Sequence, residues 1–210
     1  MPPEKVKSDS VVDDLMPKEA FERRFAFIDD DTLKKNIAIA FEYVVFLIET
    51  ASKEGHKKLI KSSLYKDAPV YSGTVVEVCL THALLKYLAA NKLQKSKVLS
   101  PEWKEEAQGV IHSFSKKRRI RYIIEHLTYE DIRSSSNFIQ INRACFRGHI
   151  LNKKEYEIAE EIREARNKIH VSALKNIDNS YKKEDLDKFF EKATRVISKA
   201  EKKIVRLSNI

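Results

Sequence analysis

One stretch of the chain gathers residue types that can act on a phosphodiester: Glu160-Glu161-Ile162-Arg163-Glu164-Ala165-Arg166-Asn167-Lys168-Ile169-His170. Read as helix, Arg163, Arg166, Asn167 and His170 sit at i, i+3, i+4 and i+7. At about 100° per residue all four fall within one arc of roughly 100°. The apolar residues Ile158, Ile162, Ala165, Ile169 and Ala173 lie on the adjacent face, and Glu157, Glu160, Glu161 and Glu164 fall mostly on the other side. The Arg/Asn/His edge therefore borders the buried seam, where a pocket or subunit contact can partly desolvate it. A His titrates near neutral pH and can move a proton. An Arg holds phosphate oxygens in a planar fork and offsets charge building up in a transition state. Asn adds an uncharged donor and acceptor. The set suits metal-independent in-line attack of an RNA 2′-hydroxyl on the adjacent phosphate. The simpler account is that any long surface helix rich in Arg and Glu brings some Arg near some His.

At these residues the chain resembles the HEPN (higher eukaryotes and prokaryotes nucleotide-binding) superfamily. Its mark is an Arg, four to six residues, then a His, often with a polar residue after the Arg, late in an all-α bundle. Arg163 and His170 are separated by six residues, whereas Arg166-Asn167-Lys168-Ile169-His170 carries the Arg-Asn dipeptide with only three between Arg and His. Which arginine works is left open by that spacing. Tyr71-Ser72-Gly73-Thr74-Val75-Val76-Glu77 resembles the small residue and Glu of an early bundle helix in relatives. Phe138-Ile139-Gln140-Ile141 through Gly148-His149-Ile150-Leu151 resembles the helix and turn before the motif helix. The resemblance extends over about residues 32–207. It implies a dimer whose motif helices face each other, and a metal-independent ribonuclease of toxin–antitoxin, anti-phage or RNA-surveillance systems. Inactive relatives serve as binding or dimerisation modules. The implied roles are His170 as proton shuttle or phosphate ligand, Arg163 and Arg166 as phosphate and transition-state ligands, and Asn167 as polar organiser.

Other candidates are weaker. Lys116, Lys117, Arg118, Arg119 and Arg121 form a cluster that can meet an RNA backbone, with Phe114 and Tyr122 beside it for stacking. A solvated helix start or loop explains the same run. Cys79-x-x-His82 and Cys145-x-x-x-His149 have helix-face spacings that can supply a two-Cys, two-His zinc site, but buried thiols and satisfied histidines are far commoner. There is no GxGxxG, Walker-type loop or HExxH. The expectation is a site without metal or cofactor.

The remaining sequence must position these groups. The chain has 210 residues, a net charge of +9, 42% hydrophobic and 34% charged residues, and only 4 Gly, 5 Pro and 2 Cys. Two Cys exclude a disulfide scaffold, and scarce Gly and Pro argue against sandwiches, barrels and propellers. The apolar content excludes disorder. The excess of cations favours an anionic partner.

The fold class expected is all-α: a helical bundle of four to five long helices with short satellite helices. Residues 1–31 read as an N-terminal arm with a short helix holding Phe21, Phe25 and Ile28, and residues 32–210 as the bundle. Asp31 reads as a helix cap. A break at Gly55, a short helix over about 56–66 and a turn at Tyr71-Ser72-Gly73 precede a helix over Thr74–Asn91. Ser100-Pro101-Glu102 reads as a helix start. Thr128-Tyr129-Glu130-Asp131 can start another short helix. Helices follow over Asn137 to Gly148, about Lys153–Leu174, and about Lys182–Leu207, whose stripe is Leu186, Phe189, Phe190, Ala193, Val196, Ile197, Ala200 and Ile204.

The most apolar stretch, Ile37–Ile48, is about 12 residues, too short for the roughly 20 that a span needs. No secretory leader is visible, so the expected location is cytoplasmic, without a membrane partner. Three functions are carried forward: a HEPN-type endoribonuclease acting on RNA as a homodimer, held by an antitoxin or a defence-complex protein; a catalytically silent RNA- or protein-binding module; and a scaffold for a defence or regulatory complex.

Overall fold

The computed structural model describes residues 18–53, 55, 58–91, 95–129, 132, 137–167 and 183–208. Seven helices and two strands follow in order among them: α1 (Lys18–Arg24), α2 (Asp31–Ser52), α3 (Lys58–Ala90), α4 (Lys95–Val98), β1 (Pro101–Ser115), β2 (Arg118–Tyr129), α5 (Phe138–Arg147), α6 (Lys153–Asn167) and α7 (Lys183–Ser208). The chain is mostly helical, as expected. It is not all-α, because residues 101–129 form an antiparallel hairpin instead of a helix.

Helix α3 is the post around which α2, α5, α6 and α7 pack. Gly55, at φ +91°, does separate α2 from α3. The expected turn at Tyr71-Ser72-Gly73 does not form, and one helix of 33 residues runs through it with Pro69 inside. Pro lacks the N–H of a helix interior and costs about 3 kcal/mol there. Burial of Val75, Val76, Cys79, Leu80, Ala83 and Leu84 offsets this, each large apolar side chain contributing roughly 1.5–3 kcal/mol. Two β-branched residues settle into the helix by donating back to it, Thr74 to the Val70 carbonyl at 2.9 Å and Thr81 to the Glu77 carbonyl at 2.8 Å. Residues Ile60–Ala90 are the one described segment long and apolar enough to cross a membrane, and more than half of the qualifying window is buried in the protein. That is the pattern of a core helix.

Caps set the other boundaries. Asp30, not Asp31, caps α2, its carboxylate accepting the Leu33 N–H at 2.9 Å, while Asp31 pairs with Lys34. Asn137 and Gln140 form a reciprocal capping box on α5. Asn152 and Glu155 do the same on α6, at 3.1 and 3.4 Å. Phe25 and Ile28, beyond the end of α1, are fully buried in the same core as α3, α5, α6 and α7. The end of α5 closes through His149, whose φ of +52° is left-handed. The Ile150 N–H reaches the Cys145 carbonyl at 2.9 Å and the His149 N–H reaches Phe146 at 3.0 Å, a Schellman closure.

The hairpin stands apart from the bundle. Its strands pair from Pro101–Tyr129 to Ser115–Arg118, so Lys116 and Lys117 make the turn. Ser115 caps that turn by accepting the Lys117 N–H at 3.2 Å. At about 3.3 Å per residue the arm is roughly 40 Å long. Gly109 lies beneath the Tyr122 ring; a Cβ there would come within 2.6 Å of it. From Glu102 to Leu127 no described side chain is buried.

Candidate functional site

Helix α6 crosses α3 where the latter carries its smallest residue. A Cβ on Gly73 would sit 3.2 Å from both Cβ and Cδ of Arg166, so the helices approach closely only because glycine is there. One turn further along α3, Glu77 pairs with the Arg166 guanidinium. Arg163, one turn earlier on α6, donates from Nε and Nη2 to Glu160 at 2.9 Å and lies 3.8 Å from Glu164. Glu160 is held in turn by Asn142 of α5, fully buried, which donates to it at 2.6 Å. Glu160, grouped by spacing with the acidic residues mostly on the other side of α6, instead orients Arg163 beside the buried Asn142 of α5.

Arg163, Arg166 and Asn167 open onto one cavity of about 620 Å³. Glu77 and Val70 of α3 and Asn137, Phe138 and Ile139 at the start of α5 complete its wall. The volume falls in the range of small-ligand sites. The two arginines are unequal. Arg163 is 19% exposed and bound by two glutamates, whereas Arg166 is 31% exposed and spends one nitrogen on Glu77. Arg166 thus keeps the freer fork for an anion entering the cavity. His170 lies outside the described residues, as does the rest of the expected helix from Lys168 to Leu174.

The second expected cluster is not part of this cavity. Lys116 and Lys117 form the hairpin turn and Arg118, Arg119 and Arg121 follow on β2, all exposed, at the end of the arm away from the bundle. The cysteines lie in the core: Cys145 donates to the Leu80 carbonyl at 3.5 Å, and burial pushes both thiols far above their usual range. Among the described residues no three His, Cys, Asp or Glu side chains gather as a metal site.

Sequence reasoning missed Glu77 as the direct partner of Arg166, and it missed a second, basic cavity. This one, of about 320 Å³, is lined by His149, Ile150, Lys199, Lys202, Lys203, Arg206 and Leu207. Its signal was the spacing of Lys199, Lys202, Lys203 and Arg206 at i, i+3, i+4 and i+7 on α7. Lys203 lies over the Tyr87 ring, 5.0 Å from its centroid. Burial, then Arg206 and Lys199, hold its pKa below the ordinary lysine value. No family model matches this chain, and no curated protein or solved structure matches it.

Proposed function

We propose that the chain is a metal-independent endoribonuclease of the HEPN type, acting in the cytoplasm in defence, toxin–antitoxin or RNA stress responses. The observation that carries this reading is the convergence of Arg163, Arg166 and Asn167 on one cavity against Glu77. An RNA phosphate entering that cavity meets the Arg166 fork, which offsets charge on the non-bridging oxygens. His170, three residues beyond Asn167, takes the proton of the 2′-hydroxyl. The 2′-oxygen bonds to phosphorus, the bond to the 5′-oxygen breaks, and that oxygen leaves protonated. The products are a 2′,3′-cyclic phosphate and a 5′-hydroxyl. Lys116 to Arg121 on the arm and the basic cavity on α7 attract the RNA backbone. The working form in this reading is a homodimer, with an antitoxin or defence-complex protein as a further partner.

A second reading, a catalytically silent RNA- or protein-binding module, is favoured by one observation: both arginines already pair with glutamates. Purified chain incubated with RNA in EDTA separates the two. Cleavage leaving cyclic-phosphate ends, lost in His170→Ala and in Arg166→Ala, supports the nuclease. Salt-sensitive RNA binding without cleavage supports the silent module, as does a His170→Ala form that cleaves as well as its parent.

A further inference from the structure

The basic cavity lies between the closure of α5 and the last turns of α7, and shares no lining residue with the Arg163/Arg166 cavity. His149, Lys199, Lys202, Lys203, Arg206 and Leu207 face it, and among the described residues no carboxylate does. Over residues 199–208 of α7 the one carboxylate is Glu201, and it pairs with Arg24 of α1 at 3.3 Å. Lys199 comes within 4.0 Å of Glu155, whose nearer partner is Arg195 at 3.1 Å. Lys202, Lys203 and Arg206 have no ion pair among the described residues.

These cations repel one another. Lys199 with Lys202 and with Lys203, and Arg206 with Lys202 and with Lys203, are like charges at i,i+3 or i,i+4, and each such pair weakens a helix. The helix macrodipole does not account for them. It acts over the last turn, which holds Arg206, whereas Lys199 stands more than two turns before the end of α7 at Ser208. Lys203 feels the crowding most. It is half-buried over the Tyr87 ring, and burial, then Arg206 and Lys199, pull its pKa below the ordinary lysine value. On the facing wall His149 holds a left-handed φ of +52°, which glycine adopts without strain, and so brings an imidazole to the same recess. Unpaired like charges and a strained backbone, gathered in one place, mark a functional site.

We infer that this recess binds a terminal phosphate, a phosphomonoester dianion carried on the 5′-end of an RNA or on a free nucleotide. An internal phosphodiester brings one negative charge, whereas a terminal phosphate brings about 1.5 to 2 at pH 7, with three acceptor oxygens. Arg206 offers a planar fork to two of those oxygens, and the lysines offer point charges. The volume stands at the low end of small-ligand sites, which begin near about 300 Å³, and has room for a phosphate and the sugar that carries it. A running backbone tracks an open groove instead. Leu207, half-buried, gives the sugar an apolar wall. This is a narrower role than general attraction of an RNA backbone, and it does not rest on the nuclease reading.

Fluorescence anisotropy of the full chain tests it with short 3′-labelled 2′-O-methyl oligonucleotides, which have no 2′-hydroxyl to attack. One strand carries a 5′-phosphate and the other a 5′-hydroxyl. Calorimetry with adenosine 5′-monophosphate, and with adenosine as its uncharged counterpart, tests the free nucleotide. The phosphorylated ligand of each pair is expected to bind about tenfold more tightly, the worth of one hydrogen bond to a charged group. Lys202→Gln and Arg206→Gln, at positions exposed in the parent and with folding checked by circular dichroism, are expected to erase that preference. Lys116→Gln, on the arm, is expected to keep it. A preference among the strands assigns the RNA end as the ligand, and a preference among the nucleosides alone assigns the free nucleotide. No preference in either pair overturns the inference, as does a preference that both cavity variants retain. Equal weakening of both strands in Arg206→Gln, with no nucleotide binding, overturns it in favour of the internal backbone. Unmodified RNA that is bound and not cleaved counts against the nuclease reading alone.

Discussion

Arg166 lies across α3 at Gly73, with its Cβ and Cδ both 3.2 Å from where a glycine Cβ would be. The Cδ belongs to a flexible side chain and can yield. The Cβ is fixed to the backbone of α6, so an added methyl group must move the helix by a few tenths of an ångström. Gly73→Ala gains about 0.5–1 kcal/mol of helix propensity and loses about 1 kcal/mol, the low end of overpacking costs, because the neighbour need yield only a few tenths of an ångström. Its melting temperature is therefore expected to stay near that of the parent; on the nuclease reading RNA cleavage falls, because Arg166 no longer meets Glu77 in the same place. Gly73→Val is expected to lose stability as well. Thermal melts run beside cleavage assays check this; an Ala variant with full activity would sink the positioning role of this crossing.

Glu77 holds the Arg166 guanidinium, and on the nuclease reading an RNA phosphate competes for it. Glu77→Gln leaves the side chain in place and removes its charge. The fold is expected to lose about 1–2 kcal/mol, between the values for exposed and buried ion pairs. RNA binding is expected to tighten, and the slope of log affinity against log salt to steepen by about 0.7, one extra phosphate neutralised on a single strand. Arg166→Ala is expected to move the slope the opposite way. Filter binding across a salt series reads both; equal slopes in all three proteins would remove Arg166 from the RNA contact.

How much of this was legible in sequence depended on whether the signal was local. Helices α5 and α7 were readable because Phe138, Ile141, Ala144 and Cys145, and the stripe from Leu186 to Ile204, recur at helical spacing and are buried on that face, Phe189 and Phe190 half-buried. The clustering of Arg163, Arg166 and Asn167 followed from the same periodicity. The hairpin was hidden by two local signals. Ser100-Pro101 imitates a helix start, and the turn at Lys116-Lys117 lacks the Gly or Asn that usually marks one. Gly73 was misread for a different reason. Its value lies in what crosses it, and the Glu77–Arg166 contact joins residues 89 positions apart. No spacing rule within one helix reports such a pair.

His149 closes α5 in a left-handed conformation that glycine adopts without strain. The preceding Gly148, which the spacing marks as the helix end, has an ordinary φ of −78°. His149→Gly is therefore expected to stabilise the fold by about 1 kcal/mol and raise the melting temperature by roughly 2–4 °C. His149 also lines the basic cavity beside Lys199, Lys203 and Arg206. A stability gain accompanied by weaker RNA binding would show the strained residue serving that cavity. A stability loss would show that its side-chain contacts outweigh the strain.

Glu155 gives the fold an acid-sensitive joint. Burial raises its pKa, but the Arg195 hydrogen bond at 3.1 Å, the nearby Lys199 and the Asn152 N–H together outweigh it and hold the carboxyl below the usual value. Folding therefore favours the ionised form. The contribution is fully present above the unfolded carboxyl's pKa of about 4.3. It is lost as pH falls through the lower folded value. Glu155→Gln retains the reach of the capping box toward Asn152 and removes only the charge. At pH 7 the variant is expected to be less stable by about 1 kcal/mol, discounted because Arg195 is half exposed. At pH 3 the gap is expected to narrow as the parent's carboxylate begins to protonate. Urea midpoints at the two pH values measure the gap directly, and an equal gap at both would mean that Glu155 acts through shape and not through charge.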